Sequence, residues 1–374
     1  MRISSLKPAF ALLLFVVVLY LVSSASASEQ FSFKVPTGIP SDLWSYFVPK
    51  DNALTPAKVE LGRQLFFDAR LSANARVSCA SCHNPRFAFT DGKKTAEGIN
   101  GRRGARNTPT LLNAMFSSTL FWDGRADTLE QQALQPLVDE NEMGNASHEE
   151  VVKRLAGVPE YKGRFEAVFG APMSAKLLAQ AIAAYERTLV SANSPFDRFL
   201  QGDRSAMNES AQRGFNLFRT KARCSVCHSV NQSFPFFTDG NYRNTGVAET
   251  LGNQPRVSPQ TRPGRSRDCF VLLDMQTAKP ELGRFTVTGN SVDLGAFRTA
   301  SLRNVELTAP YFHDGSAATL AEVIRYYIRG GNQNSLRDWE LQALNLTEAE
   351  QTDLIEFLKA LTSDDARREA TAQP

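Results

Sequence analysis

The sequence predicts a mainly α-helical protein built as two similar domains, and three observations predict it. Helix-start signals recur: Thr55 stands before Pro56, Ser147 three residues before Glu150, and Thr347 three residues before Glu350. A block is repeated, Gly62-Arg63-Gln64-Leu65-Phe66 and Gly214-Phe215-Asn216-Leu217-Phe218, and each copy precedes a Cys-x-x-Cys-His segment. The 374 residues, 42% hydrophobic and 22% charged, have an ordinary globular balance with room for one large or two medium domains.

Taken in order, residues 1–27 read as a secretory signal: Arg2 and Lys7 precede an apolar run from Ala9 to Val22, and Ala25 and Ala27 form an A-x-A cleavage site. About 14 apolar residues fall short of the ~20 that span a bilayer. Export to the periplasm is the expectation. Residues 28–50 form an N-terminal extension, 51–200 the first domain, 201–362 the second and 363–374 a tail. Leu178, Ile182, Tyr185 and Leu189 recur at helical spacing, and Ser194-Pro195 is expected to end that helix, so the boundary falls near 194–208. A Pro-, Gly- and Arg-rich stretch from Gly252 to Arg267 reads as a surface loop, and Arg284 to Thr288 as a short strand. His148 falls in a first helical turn and reads as a solvated surface residue.

Removing Arg2 and Lys7 takes the formal charge from +3 to +1, and the carboxylates of bound haems would lower it further. Nucleic acid is therefore not an expected partner.

The chemistry sits in the cysteines. Four of the five form Cys79/Cys82 and Cys224/Cys227, and His83 and His228 follow them directly. Covalent haem c needs two thiols within one helical turn to meet its two vinyl groups and an imidazole from the same peptide to reach the iron. Both segments supply this, so the expectation is two cytochrome-c-like domains carrying two haems c. Zinc wants further Cys or His ligands nearby, and a redox dithiol wants a βαβ setting. Cys269 has no partner left and reads as a small buried apolar residue.

Further motifs carry a resemblance. Arg106-Asn107-Thr108-Pro109-Thr110, Phe121-Trp122-Asp123-Gly124-Arg125, Pro136 with Glu142-Met143, and Ser301-Leu302-Arg303-Asn304 through Ala309-Pro310-Tyr311-Phe312-His313-Asp314-Gly315 make residues 50–362 similar to the bacterial di-haem cytochrome c peroxidases, including their MauG-like branch. The resemblance implies a peroxide site at the first haem and an electron-transfer haem in the second domain. It also implies an electron relay through Trp122 and a catalytic carboxylate at Glu142, with Gln132 and Pro136 in the same pocket. A carboxylate suits that role, because splitting the O–O bond needs a proton moved from one oxygen to the other. The resemblance further implies an interdomain calcium site at Asn107, Thr308 and Pro310, where oxygen ligands suit calcium.

Two positions depart from the typical peroxidase. Sixteen residues after His83, where the family carries a histidine that blocks the peroxide site, stands Ile99. Fourteen residues after His313, where the family carries a methionine ligand to the second haem, stands Tyr327. A phenolate is a harder donor than a thioether and would lower the potential of that haem. The resemblance implies that Tyr327 ligates the second haem; the alternative is that it finishes the apolar stripe of Leu320, Val323 and Ile324. Both departures resemble the MauG-like branch, and His313 is expected to support the haem environment without binding iron. Ala222, two residues before Cys224, stands where the methylamine-dehydrogenase-modifying enzyme has a surface tryptophan.

The leading expectation is a periplasmic enzyme that reduces hydrogen peroxide with electrons from a cytochrome c or cupredoxin. The alternative is a MauG-like enzyme oxidising side chains of a protein substrate. A plain electron carrier would need a sixth ligand on both irons. A homodimer is compatible with either reading.

Overall fold

The computed structural model describes residues 31–248, 282–334 and 336–372. The signal-like stretch 1–27, residues 28–30, Cys269 and the whole loop from Gly252 to Arg267 lie outside these residues. Helices dominate, as the caps predict. They are α1 (Pro56–Phe67), α2 (Cys79–Cys82), α3 (Leu129–Val138), α4 (His148–Ala156), α5 (Arg164–Phe169) and α6 (Ala175–Glu186) in the first half. The second half carries α7 (Pro195–Leu200), α8 (Glu209–Arg219), α9 (Phe285–Thr288), α10 (Leu320–Ile328), α11 (Glu348–Lys359) and α12 (Asp364–Thr371). Two two-residue strands, β1 (Tyr242–Arg243) and β2 (Phe297–Arg298), pair antiparallel with Tyr242 opposite Arg298.

The caps work as the sequence implies. The Thr55 side chain accepts from the Lys58 N–H with Pro56 at the first helical position, and Thr347 and Glu350 form a reciprocal capping box. Ser147 accepts from the Glu150 N–H, but the Glu150 carboxylate bonds the Ala146 N–H instead of closing the box.

Two apolar cores form. One gathers Leu61, Leu65, Phe66, Leu137, Leu178 and Ile182; the other gathers Phe196, Phe218, Ile324, Leu354 and Phe357. The repeated block explains the centre of each. Gly62 on α1 lies so close to α6 that an added Cβ would sit 1.8 Å from the Ala181 carbonyl oxygen. Gly214 on α8 stands in the same relation to α11, 1.9 Å from the Asp353 carbonyl. These two helix pairs are the most extensively packed in the molecule. In each, glycine lets backbone meet backbone, and the Leu-Phe that follows fills the core.

Asp197 on α7 forms a buried two-pronged ion pair with Arg303, both contacts 2.8 Å. Burial works against its charge, but Arg303 first, and then hydrogen bonds from the Ser194 N–H and hydroxyl, hold the Asp197 carboxyl below the usual carboxylate range.

Four expectations need correction. Arg284 to Thr288 is not a strand: residues 285–288 close one helical turn that ends at Gly289 in the left-handed conformation. Five residues of alternating type cannot distinguish a strand from one turn of helix. The helix carrying Leu178, Ile182 and Tyr185 ends at Glu186, so Leu189 lies beyond it. Ser194-Pro195 does not end a helix but caps and starts α7, whose Phe196 belongs to the second core. His148 is half-buried, with its Nε2 2.9 Å from the Leu134 carbonyl oxygen.

Residues 364–371, read as part of a tail, form α12. The Ser363 N–H donates to Asn304 and its hydroxyl meets that of Ser191, which ties the chain end into the junction between the cores.

The glycine contacts yield a stability prediction. Gly62→Ala and Gly214→Ala should each cost roughly 3 kcal/mol or more, because backbone cannot yield as a flexible side chain does. Gly157→Ala, whose Cβ would meet only the Arg154 carbonyl at 3.5 Å, should cost far less. Denaturant midpoints of the three variants check this.

Candidate functional site

Each Cys-x-x-Cys-His segment folds into one turn that its own backbone closes. The His83 N–H donates to the Cys79 carbonyl at 2.8 Å and the His228 N–H to the Cys224 carbonyl at 2.9 Å. This turn sets both thiols and the imidazole on one side. In each ring Nδ1 is held by a backbone carbonyl, His83 by Phe89 at 3.1 Å and His228 by Phe237 at 2.9 Å. Such a bond fixes the tautomer and leaves Nε2 as the free donor for a metal. Burial pulls both imidazoles below their ordinary value, so they are neutral and able to ligate.

The thiols are neutral as well. Burial pushes Cys82 and Cys224 up to about 12, and Cys79 is raised still further. A reactive dithiol has a lowered pKa in an electropositive setting, the opposite of what is seen. The four described cysteines are unpaired.

Both histidines face one cavity of about 1080 Å³, and Cys82, Cys224 and Cys227 line it too. Two neutral, carbonyl-anchored imidazoles beside protonated Cys-x-x-Cys pairs at one shared cavity fit two covalently attached haems.

The structure divides the remaining candidates between the two ends of the cavity. Glu142, Gln132, Pro136 and Trp122 line it. The Glu142 charge raises both Cys79 and Cys82, which puts it beside the first cysteine pair. Burial, assisted by Asp139 and opposed by Arg125, pushes its carboxyl up to about 7. Among the described residues no hydrogen bond engages that carboxyl, so it can take up or release a proton near neutrality.

Tyr327 also lines the cavity, and its pKa is raised by burial first, then by Tyr326, Cys227 and Cys224, which places it at the second end. The two adjacent tyrosines of α10 differ in use. The Tyr326 hydroxyl donates to the Thr245 carbonyl at 2.8 Å, whereas the Tyr327 hydroxyl has no hydrogen-bond partner among the described residues.

Ile99 is 6% exposed and packs its side chain on Gly144, outside the cavity lining. Its N–H donates to the Glu142 carbonyl at 2.7 Å. The loop thus buttresses the backbone of Glu142 and presents no donor to the cavity.

Trp122 is held from both sides. Its indole N–H donates to the Asn107 carbonyl at 2.8 Å, and its own carbonyl accepts from the Arg298 N–H at 2.9 Å. The Asn107 N–H in turn donates to the His313 carbonyl at 2.7 Å. His313 is 3% exposed and stacks on Phe297 with ring centroids 3.6 Å apart. Asn107, Thr308 and Pro310 all reach the cavity wall near this junction.

Two residues escaped the sequence reading. Glu186 is 3% exposed, its Oε2 has no partner among the described residues, and burial pushes it up to about 8. Its charge also raises Cys79. Adjacent to Arg187 at a helix end, it carries no signal distinguishing it from a surface charge. Arg298 lines the cavity, and only the partners of its neighbours make it stand out.

With this geometry established, comparison with known proteins is informative. Residues 56–205 match the family model described as di-haem cytochrome c peroxidase. The methylamine utilization protein MauG of Methylorubrum extorquens is 37% identical over 352 residues, 92% of this chain and 89% of the relative. The cytochrome-c peroxidase IdrP1 of Denitromonas iodatirespirans is 39% identical over 84% of each chain. The crystal structure of a MauG-like protein associated with microbial copper homeostasis superposes with a TM-score of 0.74 at 34% identity, covering 90% of this chain and 97% of the other.

Proposed function

The chain belongs to the di-haem cytochrome c peroxidase family and is a haem oxidoreductase, and from that premise we propose that it is a periplasmic di-haem enzyme that reduces hydrogen peroxide with electrons from a small donor protein. The observation that carries the reading is Glu142: an unengaged carboxyl with a pKa of about 7 at the end of the cavity that holds His83.

The overall change is one peroxide, two electrons and two protons to two waters. Haem, when bound, supplies the iron at which peroxide is taken up and from which electrons reach it. Cys79 and Cys82 would attach the first haem with His83 as its ligand; Cys224, Cys227 and His228 would hold the second. Glu142 accepts the proton of one peroxide oxygen and returns it to the departing oxygen, which leaves as water. Gln132 and Pro136 bound the space in which peroxide is oriented. Ile99 keeps the Glu142 backbone in place and leaves that space open. Trp122, clamped between the Asn107 and Arg298 backbones, offers a fixed indole between the two ends for electron passage.

Tyr327 is read as the second ligand of the second haem, through the one cavity-facing phenol that has no other partner among the described residues. An interdomain calcium ion belongs to the same reading, with Asn107, Thr308 and Pro310 supplying neutral oxygens. The signal-like stretch supports export, and no helix among the described residues is long and apolar enough to cross a membrane.

A second reading, oxidation of side chains on a protein substrate, is favoured by Tyr327. Against it, Ala222 is buried and carries no ring that would bring the second site to the surface.

Three outcomes are expected. Electron paramagnetic resonance of the untreated oxidised protein should show one high-spin haem, and peroxide should react without prior reduction; two low-spin signals would refute the open first site. Tyr327→Met should raise the potential of the second haem, and an unchanged spectrum and potential would reduce Tyr327 to a packing residue.

Glu142→Gln should leave both haems attached and slow the peroxide-driven spectral change roughly 10²–10⁴-fold. Because the raised carboxyl is protonated below about 7 and able to accept a proton only above it, the rate of the parent should fall as pH drops through 7. The variant should lose that limb. Stopped-flow rates across pH 5.5–8.5, roughly 1.5 units to either side, test both statements.

A further inference from the structure

Five arginines line the cavity: Arg106, Arg125, Arg223, Arg243 and Arg298. Four are ion-paired with a carboxylate. Arg106 and Arg125 share Asp123, Arg223 pairs with Glu340, and Arg243 pairs with Asp239 and Asp338. Arg298 has none among the described residues. Its Nη1 donates to the Ser117 hydroxyl at 2.9 Å, and its Nε is shut off from solvent without a partner.

The position of Arg298 is not loose. Its N–H is bonded to the Trp122 carbonyl and its residue pairs with Tyr242 across the two strands, so the backbone is anchored in both halves of the molecule. Ala300, two residues on, presents its backbone to the imidazole of His228. A guanidinium is charged at any ordinary pH, and a half-buried charge without a counter-charge is costly. Its planar fork of donors is the shape that matches a carboxylate. Every other guanidinium on this wall is in an ion pair with a protein carboxylate, so the anion for this one must enter with whatever fills the cavity.

We infer that Arg298 is the counter-cation for a carboxylate of a bound haem at the junction between the two sites, and that it thereby sets the reduction potential of that haem. This rests on the two-haem reading above. Oxidised haem carries one more positive charge than reduced haem. A fixed cation beside its carboxylate therefore favours the reduced form, and removing the cation favours the oxidised one. Held against the Trp122 carbonyl, Arg298 also pins this electrostatic contact to the ring proposed to carry electrons.

Redox titration of the holoprotein tests the inference, followed in the visible spectrum, with haem content measured by the pyridine haemochrome. Two covalent haems in the parent keep the family reading standing whatever Arg298 does. Arg298→Gln should retain both haems and shift the reduction equilibrium of at least one toward the oxidised form by about ten-fold, a fall of roughly 59 mV. Arg298→Lys, which keeps the charge, should restore most of that shift.

Potentials in Arg298→Gln within a factor of about two of the parent equilibrium would overturn the inference. So would an Arg298→Lys shift as large as that of Gln, since shape and not charge would then matter. A parent potential that moves with added phosphate or acetate would assign the site to a free anion, and would overturn it too. Should Arg298→Gln fail to fold, redox-difference infrared spectra of the parent with isotope-labelled haem carboxyls decide. An ion-paired carboxylate band supports the inference, and a protonated or fully solvated one refutes it.

Discussion

The arrangement of the cavity depends on one run of hydrogen bonds across the junction between the two cores. The Asn107 N–H reaches the His313 carbonyl, the Asn107 carbonyl takes the Trp122 indole N–H, and the Trp122 carbonyl takes the Arg298 N–H. Residues 107 and 122 belong to the first half of the chain, 298 and 313 to the second. The run therefore fixes the distance between the halves at the place where their two Cys-x-x-Cys-His segments face a common space. A buried backbone group that lost its partner here would carry the full cost of desolvation, so the bonds act together and resist slippage.

Around that junction the charge balance is set by burial. Guanidinium groups on the wall are paired with carboxylates, as with Arg223 on Glu340, and such pairs leave little net field. The groups that are not matched are the ones with chemical scope. Glu142 and Glu186 are pushed toward neutrality by desolvation, at about 7 and about 8, and both act on the first cysteine pair. Arg298 stays charged and unmatched near the second site. The first end is thus suited to proton exchange and the second to holding charge, a division of labour consistent with peroxide chemistry at one end and electron handling at the other.

The two departures from the usual family pattern acquire physical content in the fold. Ile99 does more than replace a histidine: packed on Gly144 and bonded to the Glu142 carbonyl, it makes its loop a support for the backbone of Glu142. At Tyr326 and Tyr327 the helix puts one phenol against the Thr245 carbonyl and leaves its neighbour facing the cavity, because residues adjacent on a helix point about 100° apart.

By itself the sequence determined what depends on covalent spacing and on local geometry. The Cys-x-x-Cys-His turns, the caps at Thr55 and Thr347, and the glycines at 62 and 214 are written within a few residues of each other, and so is the family resemblance that points to Glu142, Trp122 and Tyr327. Where only local signals were available and they were ambiguous, the reading failed, as at Arg284 to Thr288 and at Ser194-Pro195. The tertiary structure alone decided which end of the cavity each group serves, that Glu142 is desolvated enough to titrate near neutrality, and that Tyr327 and not Tyr326 is unengaged. It alone decided that Arg298 lacks, among the described residues, the carboxylate its neighbours have. Burial and pairing are properties of segments far apart in the chain, and no window of sequence records which of them meet.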